Sequence, residues 1–196
     1  MRITGGVHRS RELRAPKGQK TRPTADRVRE GLFSMLASRR PLDGARVLDL
    51  FAGTGALGLE ALSRGASHGV FVESDRAALL ALRENVRALG FEVASVVIAQ
   101  RAERVVEALK GPFDVVLCDP PYALVREPEL AALLSKVAAH CHAEATIVLE
   151  HDAKDPPPSI LGAIVTFTRR YGDTGLTFYE VSALLKPPAN DEDGDV

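Results

Sequence analysis

From Leu42 to Leu185 the chain alternates short, nearly continuous apolar runs with stretches in which apolar residues return every three or four positions. The runs predict strands at residues 46–50, 69–73, 93–98, 114–118 and 146–150, and the periodic stretches predict helices at 57–64, 75–89, 102–110 and 129–140. Ser74 offers an N-cap oxygen to the second of these helices, Gly90 closes it, and Gly111-Pro112 closes the third. Strands that are apolar at successive positions belong in a parallel sheet covered on both faces. The end of the chain departs from this rhythm. Residues 163–170 and 176–185 are β-rich and separated by Tyr171-Gly172-Asp173-Thr174-Gly175, a hairpin signal that adds an antiparallel strand to the parallel set. The pattern predicts an α/β fold of seven strands with helices on both faces.

Nothing divides the body: there is no internal repeat, and Pro156-Pro157-Pro158 is a stiff loop. A chain of 196 residues accommodates one domain over 41–186, flanked by segments 1–40 and 187–196. Apolar residues at 45% and charged residues at 26% exclude a disordered or fibrous chain. No apolar run reaches the roughly 18–20 residues of a membrane span, and the first fifteen residues lack the apolar core of a secretory leader, so a cytoplasmic chain without membrane contact is expected. Cys118 and Cys141 are too few for a disulfide framework and suit a reducing compartment. His140-Cys141-His142 has no second ligand pair at suitable spacing, so no metal is expected.

A formal net charge of −1 conceals an asymmetry. Residues 1–40 carry eleven Lys and Arg against three acids, whereas the remainder carries fourteen against twenty-three. A basic arm on a mildly acidic body points to a polyanionic partner reached by one end of the molecule, although a solvated tail would have the same composition. Residues 187–196 contain four acids and no base, the composition of a disordered tail.

Two segments carry chemistry. In Asp49-Leu50-Phe51-Ala52-Gly53-Thr54-Gly55-Ala56-Leu57-Gly58, the glycines at 53, 55 and 58 fit G-x-G-x-x-G between a strand and a helix, the nucleotide-binding position of an open α/β sheet. Glycine there lets the backbone turn sharply and lie against a ligand; a tight turn with no ligand would use the same residues. Glu73, twenty residues after Gly53 at the end of the second strand, is placed to accept hydrogen bonds from ribose hydroxyls. The motif alone does not choose between a nicotinamide dinucleotide and another adenosine ligand. Asp119-Pro120-Pro121-Tyr122, directly after the strand at 114–118, does. Two prolines hold the chain extended and remove two donors, so a carboxylate, a bare carbonyl and an aromatic ring are presented together. That set suits a planar base with an exocyclic amine: Asp119 and the Pro120 carbonyl each accept one N–H, and Tyr122 stacks on the ring for roughly 1–3 kcal/mol.

Asp-Pro-Pro-Tyr after a glycine-rich turn resembles the amino-methylating branch of the class I S-adenosylmethionine-dependent methyltransferases. More narrowly, the chain resembles the bacterial 16S ribosomal RNA guanine-N2 methyltransferases from Ile3 to about Leu185. The resemblance is carried by Gly5-Gly6 with Arg9 and Arg11, by Arg22-Pro23-Thr24-Ala25-Asp26-Arg27-Val28-Arg29-Glu30-Gly31-Leu32-Phe33, by residues 49–64, by Glu73 with Asp75, and by Asp119–Tyr122, with Tyr171-Gly172-Asp173-Thr174 in support. It implies a Rossmann-like methyltransferase sheet with a short basic N-terminal extension, S-adenosyl-L-methionine as cofactor, and 16S rRNA or the small subunit as substrate. Hydrogen bonds to Asp119 and the Pro120 carbonyl would free the delocalised N2 lone pair for in-line attack on the sulfonium methyl, with much of the rate coming from positioning. A base in structured RNA must first be turned outward, at a cost of a few kcal/mol.

The cofactor contacts implied are Asp49 to the methionine amine, the backbone of Phe51, Ala52, Gly53, Thr54 and Gly55 along the methionine and ribose, and Glu73 with Ser74 at the ribose. The third strand departs from the family's pattern. Gln100-Arg101-Ala102 stands where an Asp or Asn usually reads the adenine, so the Gln100 amide or backbone near Arg101 is expected to serve. Arg9, Arg11, Arg22, Arg27 and Arg29 are candidate RNA phosphate contacts, although Asp26, Arg27 and Glu30 would equally form surface ion pairs. The segment 22–33 is a candidate lid, anchored on the body by Phe33 and Leu36, and nothing suggests more than a monomer. Glu150-His151 closes a strand at the functional edge with no assigned role, and His8 in the arm is as readily a solvent-exposed loop residue. Three alternatives remain: a DNA or other RNA amino-methyltransferase acting on adenine N6 or cytosine N4, an NAD-dependent dehydrogenase, which leaves Asp119–Tyr122 idle, and a non-catalytic RNA-binding module, which leaves both core motifs idle.

Overall fold

The apolar run that opens the body forms strand β1 (Arg46–Asp49), which breaks at the glycine turn before helix α2 (Ala56–Ser63); ahead of it lies a seventeen-residue helix, α1 (Pro23–Arg39). The computed structural model describes residues 1–16 and 23–182; Arg22, the far end of the strand expected at 176–185 and the acidic segment 187–196 lie outside them. The chain continues through β2 (His68–Val72), α3 (Arg76–Ala88), β3 (Ser95–Ile98), a short α4 (Ala102–Val105), β4 (Phe113–Cys118), a one-turn α5 (Tyr122–Val125), α6 (Pro128–Ala139), β5 (Cys141–Asp152), β6 (Ala163–Tyr171) and β7 (Thr174–Val181). The seven strands lie in the order β3-β2-β1-β4-β5-β7-β6, and β7 runs antiparallel to both neighbours, as the hairpin signal implied.

Alternate side chains of each strand enter two cores. Leu48, Val70, Val116, Ile147 and Tyr179 pack with Val105 and with Leu130, Leu134 and Val137 of α6. On the other face Val47, Phe71, Val115, Leu117, Val148 and Phe178 meet Leu32, Phe33 and Leu36 of α1, Leu59 of α2, and Leu82 and Val86 of α3. Ile3 and Leu13 belong to this second core as well, so the basic arm is bonded into the body. Its residues fold back on themselves, with the Ile3 amide donating to the Arg11 carbonyl at 2.9 Å and the Leu13 amide to the Met1 carbonyl at 2.9 Å.

Three of the boundaries that differ from the sequence pattern have a visible cause. The helix after Glu73 is capped by Asp75, whose Oδ1 accepts the Ala78 amide at 2.8 Å, and not by Ser74. The cause is Glu73: its Oε1 accepts the amides of Ser74 and Asp75 at 2.6 and 2.7 Å, which holds both outside the helix. The helix expected at 102–110 keeps its apolar stripe at Ala102, Val105, Val106 and Leu109, but tightens into a 3₁₀ turn over Val106–Ala108, and Leu109 is already extended toward β4. Strand β5 begins five residues before the expected start at Thr146, because Cys141 pairs with Phe113 ahead of a register shift.

Candidate active site

Parallel strands β1, β2 and β4 deliver Asp49, Glu73 and Asp119 to one edge of the sheet, where the glycine turn and the diproline corner face a shared cleft of about 920 Å³. The predicted residues Asp49, Phe51, Ala52, Gly53 and Thr54 line one side of it, and Glu73, Ser74, Gln100, Arg101 and Ala102 a second. Asp119, Pro120 and Pro121 close the third. Gly55 stands behind the lining with φ of +83°, and a Cβ there would lie 2.4 Å from a Leu82 methyl. A Cβ on Gly58 would lie 2.3 Å from the Phe71 ring. Its absence lets the Gly58 amide reach Asp49 Oδ2 at 2.8 Å. The third glycine thus seats α2 on β1.

Asp49 is the most constrained charge in the cleft. Its Oδ2 is taken by Gly58, while Oδ1 is buried without any hydrogen-bond partner. Burial, reinforced by the charges of Asp119 and Glu73 and opposed by the Gly58 bond, pushes its carboxyl up to about 7. A buried bare carboxylate oxygen beside a roomy cleft suits a cationic ammonium. Glu73 already serves three backbone amides, since Oε2 accepts that of Gly53 at 2.7 Å in addition to the two on Oε1. One of the four lone-pair positions of a carboxylate remains for a ribose hydroxyl. The Asp119 carboxyl opens on the cleft and is reached by water, yet desolvation by the surrounding walls pushes it up to about 6, leaving it ionised at neutral pH. Tyr122 stands outside the cleft lining. It starts α5, is 40% exposed, and approaches the Thr174 hydroxyl at 3.4 Å, which leaves a ring face open at the rim. Gln100 and Arg101 are exposed, with Arg101 3.8 Å from Glu103.

The arginines divide. Arg27 is exposed on the cleft-side half of α1, and Arg9 and Arg11 are exposed on the arm. Arg11 donates to the Ala88 carbonyl at 3.3 Å, at the far end of α3 from the cleft, about 20 Å away for thirteen residues of helix. Arg29 is a correction: it is 4% exposed, bonds the Arg2 carbonyl and Asp26, and lies 3.6 Å from Glu60, so it ties the arm to α1 and α2 and is not free for phosphate.

Two residues that hold the site together were missed. Glu60, wholly buried in α2, accepts the Thr4 amide at 2.6 Å, the Thr4 hydroxyl at 2.8 Å and Arg64 Nε at 2.7 Å. Asn85 in α3 accepts the Arg14 amide at 2.7 Å and donates to the carbonyls of Arg14 and Thr54 at 3.0 and 2.9 Å, linking the arm to the glycine turn. Their signal is a polar residue inside an otherwise apolar helical stripe.

This strand order, with a glycine turn and an Asp-Pro-Pro corner meeting across one cleft, is that of the class I S-adenosylmethionine-dependent methyltransferases, and the chain is an enzyme of that class. It belongs to the family described as conserved hypothetical protein 95, whose profile matches residues 1–180. Among its relatives is YlbH of Bacillus subtilis, a putative rRNA methyltransferase, 38% identical over 186 residues that cover 92% of this chain and 98% of the relative. Ribosomal RNA small subunit methyltransferase D of Escherichia coli K12 is 45% identical over 123 residues, 62% of this chain and 60% of that protein. The solved structure of the putative methyltransferase yhhF from Escherichia coli superposes with a TM-score of 0.79 at 32% identity, covering 93% of this chain and 98% of the other. Among the described residues no helix is long and apolar enough to cross a membrane.

Proposed function

We propose that this chain methylates the exocyclic N2 amine of a guanine in small-subunit ribosomal RNA, in the cytoplasm and as a monomer. The observation that carries this reading is the single cleft in which Asp119 and the Pro120 backbone face the glycine turn and the bare Asp49 oxygen. The names and extent of the relatives support the ribosomal substrate. S-adenosylmethionine, when bound, supplies an electrophilic methyl group on a sulfonium. Asp49 would hold its ammonium, the Gly53 backbone would lie along it, and Glu73 would take a ribose hydroxyl on its remaining lone pair. The adenine would rest between Gln100 and Ala102. Asp119 and the Pro120 carbonyl would accept the two N2 hydrogens and turn the amine lone pair toward the methyl. Asp119 need not be a strong base, because the methylated amine becomes acidic and sheds its proton late. Tyr122 would stack on the extruded base at the rim. Arg27 near the cleft and Arg9 and Arg11 along the arm would contact phosphates, joined by the exposed Arg169 and Arg170 at the cleft end of β6.

Incubation with labelled S-adenosylmethionine and undermethylated small subunits tests the reading directly. Label in N2-methylguanosine is expected, and label in DNA, protein or another atom would overturn it. Asp119→Ala is expected to bind the cofactor within a few-fold of wild type in calorimetry while methyl transfer falls by about 100-fold or more. NADH should not bind.

A further inference from the structure

The edge of the sheet that carries Asp49, Glu73 and Asp119 continues onto β5, where it presents a fourth carboxyl group. Leu149 pairs with Cys118 in the parallel register, so Glu150 stands beside Asp119 on the neighbouring strand, with backbones about 4.8 Å apart. Both follow, by two residues, side chains of the same core (Leu117 and Val148), which places them on one face. Glu150 is half-buried, and its carboxyl group makes no hydrogen bond or ion pair among the described residues. The groups whose charge bears on it are Asp119, directly after β4, and Arg29 of α1, and its own charge would raise the Tyr122 phenol of α5. A half-buried carboxyl without a partner is costly to keep, and one adjoining the residue that holds the reacting amine is placed to be satisfied by substrate.

We propose that Glu150 reads the lactam edge of the target guanine, accepting its N1–H and donating to O6, while Asp119 holds the adjacent N2 amine. The assignment rests on the guanine-N2 reading above. Guanine presents amine, N–H and carbonyl in succession along one edge, and two side chains on adjacent strands can meet them in that order. Adenine and cytosine set a lone pair where guanine has its N1–H, so neither can complete both hydrogen bonds with such a carboxyl group. A neutral carboxyl group is at once acceptor and donor, matching the lactam in a cyclic pair. Burial, with the neighbouring Asp119 charge and against the Arg29 guanidinium, raises Glu150 well above the usual carboxylate range, which favours the protonated form.

The test uses the full chain and, once the modified nucleotide has been mapped, small-subunit RNA carrying either guanine or 2-aminopurine at that position. 2-Aminopurine keeps the amine but lacks both N1–H and O6. Wild type is expected to favour guanine, and Glu150→Ala to reduce that preference in kcat/KM by roughly tenfold or more, the order of one bidentate base contact. Glu150→Gln retains the preference, because its amide offers the same acceptor and donor. Each ratio is taken on one preparation, so any loss of folded protein cancels. A preference left intact in Glu150→Ala, or lost equally in Glu150→Gln, overturns the assignment alone. Wild-type methylation at an atom other than guanine N2 overturns the substrate reading and the assignment with it.

Discussion

Asp49 has one carboxyl oxygen satisfied by Gly58 and one left bare, and its burial has a thermodynamic sign. With the folded-state value raised from 3.8 to about 7, the protonated form is favoured in the native protein, so this group stabilises the fold at low pH. That contribution is lost as pH climbs through about 7, and above it the buried carboxylate costs on the order of a few kcal/mol. Asp49→Asn should therefore raise the melting temperature at pH 8 in scanning calorimetry and flatten the dependence of stability on pH between about 4 and 7. The same variant should lose cofactor affinity, and wild-type affinity should weaken as pH falls below about 7, since a cationic ligand needs the ionised form. A variant that melts lower at pH 8, or binds as before, would contradict this account. Asp49, Glu73 and Asp119 were legible from sequence because each ends a strand at a recognisable turn. Arg29 was misread because, besides Asp26 on its own helix, its partners Arg2 and Glu60 come from segments that no local pattern connects to it.

The joint between the arm and α2 belongs to the scale of elements. Gly5-Gly6 runs across the carboxyl end of α2, where the Val7 amide caps the Ser63 carbonyl at 2.8 Å and the Ser63 hydroxyl donates to the Gly5 carbonyl at 2.7 Å. Gly6 has φ of +76°, and a Cβ on it would lie 1.7 Å from the Ser63 carbonyl oxygen, which cannot move without unwinding the helix end. Gly6→Ala is expected to destabilise the protein by about 2 kcal/mol or more, read as a lower denaturant midpoint at unchanged slope. Glu60→Ala removes the acceptor shared by Thr4 and Arg64 and leaves Arg29 with less compensation, for a loss of about 3–5 kcal/mol by the same measurement. The seven strands and the reversed β7 were foreseeable from apolar runs and one turn signal. Element ends were not, because Glu73 displaces the cap from Ser74 to Asp75 and a register shift lengthens β5, and both effects come from tertiary hydrogen bonding.

Across the whole molecule, the described parts of the basic segment, residues 1–16 and α1, pack on the face that holds α2 and α3. Arg11 stands roughly 20 Å from the cleft, with Arg9 two residues before it on the same arm, so the pair would meet RNA that extends along that flank. Replacing both with Ala should lower the slope of log affinity against log salt by about 1.5–2 with little change in turnover at saturating substrate. An unchanged slope would place the RNA elsewhere, with the exposed Arg169 and Arg170 next to be replaced.

The seating of the arm also sets an order of events during synthesis. Residues 1–16 leave the ribosome before the groups that receive them (Glu60, Ser63, Asn85 and Phe91), which lie 55 to 83 residues further along the chain. Until then the nascent arm has nothing to close upon and waits as a solvated cationic leader. Docking is a late, long-range step, and it brings Met1 against the glycine turn and Arg14 onto Asn85, which bonds that turn, only when the sheet they brace is already growing.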